Sequence, residues 1–182
     1  MWHPLQAIPI GWWRGISYVV LLILTLLIGS KMKVALKPRM LSLELAGTKD
    51  QANRIINKWR EDGVLDNALT LQKWDDYFLI FYSVTLSLAC IIVTDSMFSP
   101  TSSGYTWGVV FSWAALVAGV LDFIENRAIS RMLAGTVESP WPQLSFICAA
   151  LKFLILTACF IYVLSGLVAR FSILKPVASS RP

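Results

Sequence analysis

Apolar and polar positions in this chain fall into long blocks, rather than the alternation of a half-buried strand or the narrow stripe of a soluble helix. Four blocks are long enough to cross a hydrocarbon layer of about 30 Å, which takes roughly 20 helical residues. They are residues 12–30, 77–94, 105–126 and 142–169. The first is the shortest, with 16 uncharged residues between Arg14 and Lys31, so both of its charged ends are expected to snorkel toward a headgroup layer. A cleaved leader is the competing reading of this block, but Lys31 and Lys33 directly after it suit a stop-transfer flank better than a cleavage site. The pattern predicts an all-α fold: residues 1–182 form one integral membrane domain, an antiparallel four-helix bundle with a cytoplasmic helical loop at 38–74.

That loop has a pattern of its own. "PRMLSLELAG" opens with Pro38, an expected stop for the first helix, and Leu41, Leu43 and Leu45 alternate with other residues, which predicts a strand-like or irregular surface segment. In "TKDQANRIINKWREDG", Thr48 and Gln51 have capping-box spacing and Gly63 is a stop. Between them Ala52, Ile55, Ile56 and Trp59 recur at helical spacing, which predicts a short amphipathic helix with Trp59 partly covered and Lys58 and Glu61 wet. Such a helix packs on the bundle, rests in headgroups or offers a docking face to a partner. Residues 95–104 and 134–143 read as tight connections.

Composition agrees with a bilayer: 56% of the 182 residues are hydrophobic and 15% charged, with a mean hydropathy of +0.62. Charge adds an orientation. Of the 16 Lys and Arg, 11 fall in the first and third loops and 4 on the other side, at Arg14, Arg170, Lys175 and Arg181; the last is Lys152, inside a span. The first and third loops are therefore expected in the cytoplasm and both termini outside, in a membrane of the bacterial inner type. The loop cations are mixed with Glu44, Asp50, Glu61, Asp62 and Asp66, which fits a lipid surface and not a nucleic acid.

Several chemistries have nothing to stand on. The one histidine is His3, expected to be solvated near the terminus, so a bis-histidine haem or a histidine-rich metal site is excluded. There is no phosphate-binding glycine loop, no Gly-x-Ser-x-Gly elbow and no Cys-x-x-Cys pair. Cys90, Cys148 and Cys159 lie inside spans, where cysteine behaves as a small buried apolar residue. No cofactor and no metal are expected, and enzymatic activity is disfavoured.

One constellation stands out. In "GVLDFIENRAISRM" an apolar run ends in two carboxylates and an amide on adjacent turns. Gly108, Ser112, Ala115, Gly119, Asp122 and Asn126 repeat at spacings of four and three, which predicts one face of small and polar residues turned into protein, with Glu125 beside it. A hairpin turn centred between 137 and 138 sets Asp122 opposite Lys152, or Glu125 if the register is off by a turn. A second seam, Asp76, Ile80, Ser83, Ser87, Cys90 and Thr94, is expected to meet the first, with Asp75 and Asp76 at its rim. The cluster Asp76, Asp122, Glu125, Asn126 and Lys152 reads either as a helix–helix lock or as a ligand- or proton-handling site, in which acids outnumber bases and at least one carboxyl is expected to have a raised pKa.

Three functions follow. The first is a non-enzymatic polytopic membrane protein, either an accessory or assembly subunit of a larger membrane complex or homo-oligomer, or a binder of a lipid-like ligand. The second is proton or solute transport through the carboxylate–lysine cluster. The third is a lipid-modifying membrane enzyme using Asp122 or Glu125 as acid or base, without an accompanying nucleophile.

Overall fold

The computed structural model describes residues 2–9, 11–33 and 39–173, with the side chains of 33 and 171–173 excepted. A 3-10 turn at Pro4–Ala7 is followed by α1 (Trp12–Lys33), α2 (Met40–Glu44), α3 (Lys49–Glu61), α4 (Leu65–Met97), α5 (Ser103–Leu133) and α6 (Trp141–Ile173); no strand occurs among the described residues. Four helices, α1, α4, α5 and α6, are long and apolar enough to cross a membrane. Their outward faces carry exposed large apolar side chains, such as Leu26, Val120, Leu154 and Val168. Pro38, Lys175 and Arg181 lie outside the described residues.

The helices outrun the apolar blocks. Nothing between Leu65 and Tyr77 breaks a helix, and Ala68, Leu71 and Gln72 are buried there at helical spacing, so α4 begins a full 12 residues before the apolar block at 77. α5 likewise continues through Ala128, Ile129, Met132 and Leu133, all buried. These extensions form a core with α2 and α3 around Leu43, Ile56, Trp59, Ile129 and Met132. The amphipathic helix therefore packs on α2, α4 and α5 through Ala52, Ile56 and Trp59, with Ile55 half-buried and Lys58 and Glu61 exposed. Thr48 Oγ1 accepts from the Gln51 amide at 3.3 Å, and Gly63, at φ +68°, closes the other end, with the Val64 amide bonded to the Trp59 carbonyl.

The expected strand-like segment is instead the short helix α2. Met40, Leu43 and Ala46 face the core at spacings of three, while Leu41 and Leu45, one turn apart, face outward. The leucine alternation thus samples both faces of one helical turn. Leu43 is fully buried, and its burial decides the conformation of a piece too short to be helical on its own.

Small residues set the approach of α4 to α5. Gly119 lies against Ser83, where a Cβ would come within 2.8 Å of the Ser83 side chain, and Gly108 lies against Thr94 and Tyr162 with even less room. Ser87 and Ser112 share a hydrogen bond at 2.8 Å. All six residues of the α5 seam are buried. The α4 seam holds at Ser83, Ser87, Cys90 and Thr94 but not at Ile80, which is exposed; Leu79 takes its place on the inner face. Ser83 and the Leu79 carbonyl, four residues apart, both lie against Gly119, so the inner face of α4 steps back by four there and not by three. Contacts along α1 and α4 run from Thr25 with Thr85, at 3.0 Å, to Arg14 with Asp95.

Two terminal residues depart from expectation. Arg14 does not snorkel; it is buried, paired with Asp95, and donates to the Ile8 carbonyl at 2.6 Å and the Gln6 carbonyl at 3.2 Å. These acceptors satisfy the guanidinium where a bare span end would need headgroups. His3 is fully buried, not solvated: its Nδ1 accepts from the Leu5 amide at 3.2 Å, its Nε2 lies 3.5 Å from Ser87 Oγ, and its ring meets the edge of Trp113 at 4.6 Å. An accepting Nδ1 leaves the proton on Nε2, and burial pushes the imidazole below its usual range, keeping it neutral. Gln6 Nε2 completes the plug by donating to Tyr105 Oη at 2.6 Å.

Candidate functional site

The site forms where α5 and α6 leave their connection. Gly135, at φ +98°, ends α5 with the Thr136 amide bonded back to the Arg131 carbonyl, and α6 restarts at Trp141. This short turn brings equal depths of the two helices together. Lys152 Nζ donates to Asp122 Oδ1 at 2.7 Å and lies 2.8 Å from Glu125 Oε2, so the two registers considered for the hairpin both contribute. All three side chains are buried. A charge in such surroundings is tolerable only when paired, and one ammonium here serves several acids.

A further carboxylate was not foreseen. Glu44, at the end of α2, lies 4.0 Å from Lys152 Nζ with only 13% of its side chain exposed, and Ser145 Oγ on α6 donates to its carbonyl at 3.4 Å. In the sequence Glu44 reads as a surface counter-charge among loop cations. Its placement follows from the inward turn of Leu43, which carries the next residue to the helix ends. The Glu44 carboxyl also lies beside that of Glu125, which receives no hydrogen bond among the described residues. Two bare carboxylates this close repel, and the Lys152 ammonium, 2.8 Å from Glu125 and 4.0 Å from Glu44, is the charge that opposes the repulsion.

Asp76 stands elsewhere. It pairs with Arg127 and accepts from Asn126 Nδ2 at 3.3 Å, on the partly exposed side of α4 and α5. Of the five candidate residues, then, Asp122, Glu125 and Lys152 meet, Asn126 is buried on the same face, and Asp76 is joined to Asn126 but not to Lys152. Its neighbour Asp75 turns the other way, toward Asp122, Lys152 and Glu44. Successive residues on a helix point about 100° apart, so the two aspartates serve different faces. The sequence signal was present in the doublet, but which member faced inward depended on the rotation of α4.

Beside the cluster a cavity of about 420 Å³ opens between α1, α4 and α6. Tyr18, Leu22 and Thr25 form the α1 wall; Phe78, Tyr82, Thr85, Leu86 and Ala89 form the α4 wall; Phe153, Leu156, Phe160 and Val163 form the α6 wall. Glu44, Asp75, Asp122 and Lys152 make its polar end. α4 thus has two working faces, one packed on α5 and one bounding the cavity, and the sequence reading found only the first. Among the described residues no group of three or more His, Cys, Asp or Glu is arranged to hold a metal ion; the Lys152 ammonium stands among these carboxylates. Cys90, Cys148 and Cys159 are buried and unbridged.

Burial pushes the Glu44 carboxyl above its ordinary value of 4.5, outweighing the opposing pull of Lys152. The folded protein therefore holds this proton more tightly than the unfolded chain, so the associated stability is full below about pH 4.5 and is lost as pH rises through the folded value. The difference in unfolding free energy between wild type and Glu44→Gln, measured against pH, is expected to shift in favour of the variant as pH rises above 4.5. Parallel pH profiles for the two proteins would show that Glu44 gains nothing from its proton.

Comparison with protein families, curated proteins and solved structures found no match for this chain.

Proposed function

We propose that this chain is a non-enzymatic integral membrane protein, an antiparallel four-helix bundle that binds a lipid-like molecule in the cavity between α1, α4 and α6. Membrane residence is supported by the four long apolar helices and by their exposed apolar outer faces, which water would penalise. Antiparallel order is supported by contacts that climb one helix as they descend the next. The observation that carries the binding reading is the cavity itself. Its volume falls in the range of about 300–1,000 Å³ common to small-molecule sites, with long apolar walls and a few converging polar groups at one end. That is the shape of an amphiphile.

The test is ligand capture. Protein purified in mild detergent should release a defined small molecule on denaturation, and Leu156→Trp, which fills the cavity, should release little of it. Identical extracts from the two proteins would defeat the reading. The alternative role, an accessory subunit of a larger complex, would appear in the same preparation as stable co-migration with that complex.

Transport remains the second reading, favoured by the meeting of the Glu44 and Glu125 carboxyls beside Lys152. Proteoliposome flux unaffected by Asp122→Asn and Glu125→Gln would remove its support.

The charge asymmetry supports an orientation with α2, α3 and the α5–α6 turn in the cytoplasm and the 3-10 turn outside. Single cysteines introduced at exposed Lys58 and at Thr101 should accept an impermeant reagent from opposite sides of the membrane. Labelling of position 58 from outside intact cells would reverse the orientation and the side on which the polar cluster opens.

A further inference from the structure

We propose that the molecule held in the cavity carries a cation: a lipophilic amine or quaternary ammonium whose charged group sits at Asp75 and whose apolar body lies along α1, α4 and α6. This deepens the ligand-binding reading above and rests on it. The polar end of the cavity gathers Glu44, Asp75 and Asp122 around Lys152, with Glu125 directly behind. Lys152 is already committed, at 2.7 Å from Asp122 and 2.8 Å from Glu125, so it has little charge left to offer an anionic headgroup. The remaining charge runs the other way. Even with one of them protonated, the carboxylates outnumber the single ammonium.

Asp75 is where that excess faces the cavity. Among the described residues it makes no ion pair; the Asn126 amide beside it is neutral, and Lys152, which attracts it from farther off, is engaged by Asp122 and Glu125. A carboxylate on the wall of a largely apolar cavity with no direct ion-pair partner is costly, and an ammonium from outside the chain would relieve that cost. The wall suits one as well. Phe78 lies one turn along α4 from Asp75, and Phe153 and Tyr82 also line the cavity, so aromatic faces are available to a cation released from water. A neutral lipid would gain from the apolar walls but leave Asp75 as it stands. An anionic lipid would meet three carboxylates.

The experiment is equilibrium dialysis of the full-length protein in neutral maltoside detergent against radiolabelled dodecyltrimethylammonium, with dodecyl sulfate and dodecanol as competitors of equal chain length. Wild type is expected to bind the ammonium saturably, with neither competitor displacing it at matched concentration. Asp75→Asn should weaken that binding by about tenfold or more, the loss expected for one charge-assisted contact, and Leu156→Trp should abolish it. If dodecanol competes as well as unlabelled ammonium, or if Asp75→Asn binds as wild type does, the cation assignment is overturned while binding in the cavity stands. If no probe binds wild type saturably and Leu156→Trp changes nothing, the ligand-binding reading falls as well. Should Asp75→Asn fail to fold, the head-group comparison on wild type still decides.

Discussion

Lys152→Met is expected to be the most damaging single substitution in the polar cluster, destabilising the protein by roughly 3–5 kcal/mol, the usual cost of leaving a buried charge without its partner. It strands Asp122 and Glu125 together, with Glu44 close behind. Asp122→Leu should cost less, because Lys152 keeps Glu125 at 2.8 Å. A simple two-residue lock would let the double variant Asp122→Leu/Lys152→Met regain most of the loss. With Glu125 in the same contact the double variant still leaves that carboxyl buried beside Glu44, and recovery should require Glu125→Gln as a third change. Unfolding in detergent, followed for the two single variants, the double and the triple, measures this order. Full recovery in the double variant would mean that Glu125 contributes nothing, and strict additivity throughout would mean that the side chains do not interact. Ligand binding by the recovered triple variant then distinguishes the two roles: a pure lock leaves binding intact, whereas a ligand site regains stability without it.

Trp59→Ala is expected to have an effect of comparable size in a different part of the molecule. The tryptophan is only 7% exposed and is packed among Leu43, Ile56, Ile129 and Met132, so its truncation removes contacts to α2 and α5 as well as to its own helix. Loss of a buried aromatic ring costs about 3–5 kcal/mol, more than the partly covered tryptophan inferred from the sequence would lose. Because α2 carries Glu44, the change should also loosen the polar end of the cavity. Limited proteolysis of α3, together with unfolding in detergent, measures the first consequence, and ligand release measures the second. Lys58→Ala and Glu61→Ala, on the exposed face of the same helix, should stay within about 0.5 kcal/mol of wild type. Equal protease resistance in Trp59→Ala and wild type would show that α3 is held by other contacts.

Much of this architecture was legible because it depends on local pattern. Four apolar blocks announce four long helices, the spacing of Ala52, Ile56 and Trp59 announces the face of α3, and the small-residue repeat from Gly108 to Asn126 announces the buried face of α5. Even the meeting of Asp122 with Lys152 could be counted out, since a short turn forces two consecutive helices to pair by equal distance from it. None of these inferences requires knowing where a distant part of the chain lies.

What remained hidden depends on such distances. The helical conformation of α2 and the inward turn of Glu44 follow from Leu43 filling a core made by α3, α4 and α5, which the alternation of leucines cannot reveal. Arg14 finds Asp95 across 81 residues and His3 reaches Ser87 across 84, so a span end and a terminus that look solvated are buried by partners no local window contains. The choice between Asp75 and Asp76 rests on the rotation of α4, which is set by its packing on α5 through Gly119 and Gly108. The cavity is further still from the sequence: it is the space left when α1 and α6 both flank α4 without closing on each other, a property of three helices together and of no residue pattern in any one of them. Periodicity determines which face of a helix seeks burial, and only the packed tertiary structure decides what meets that face and what space is left open beside it.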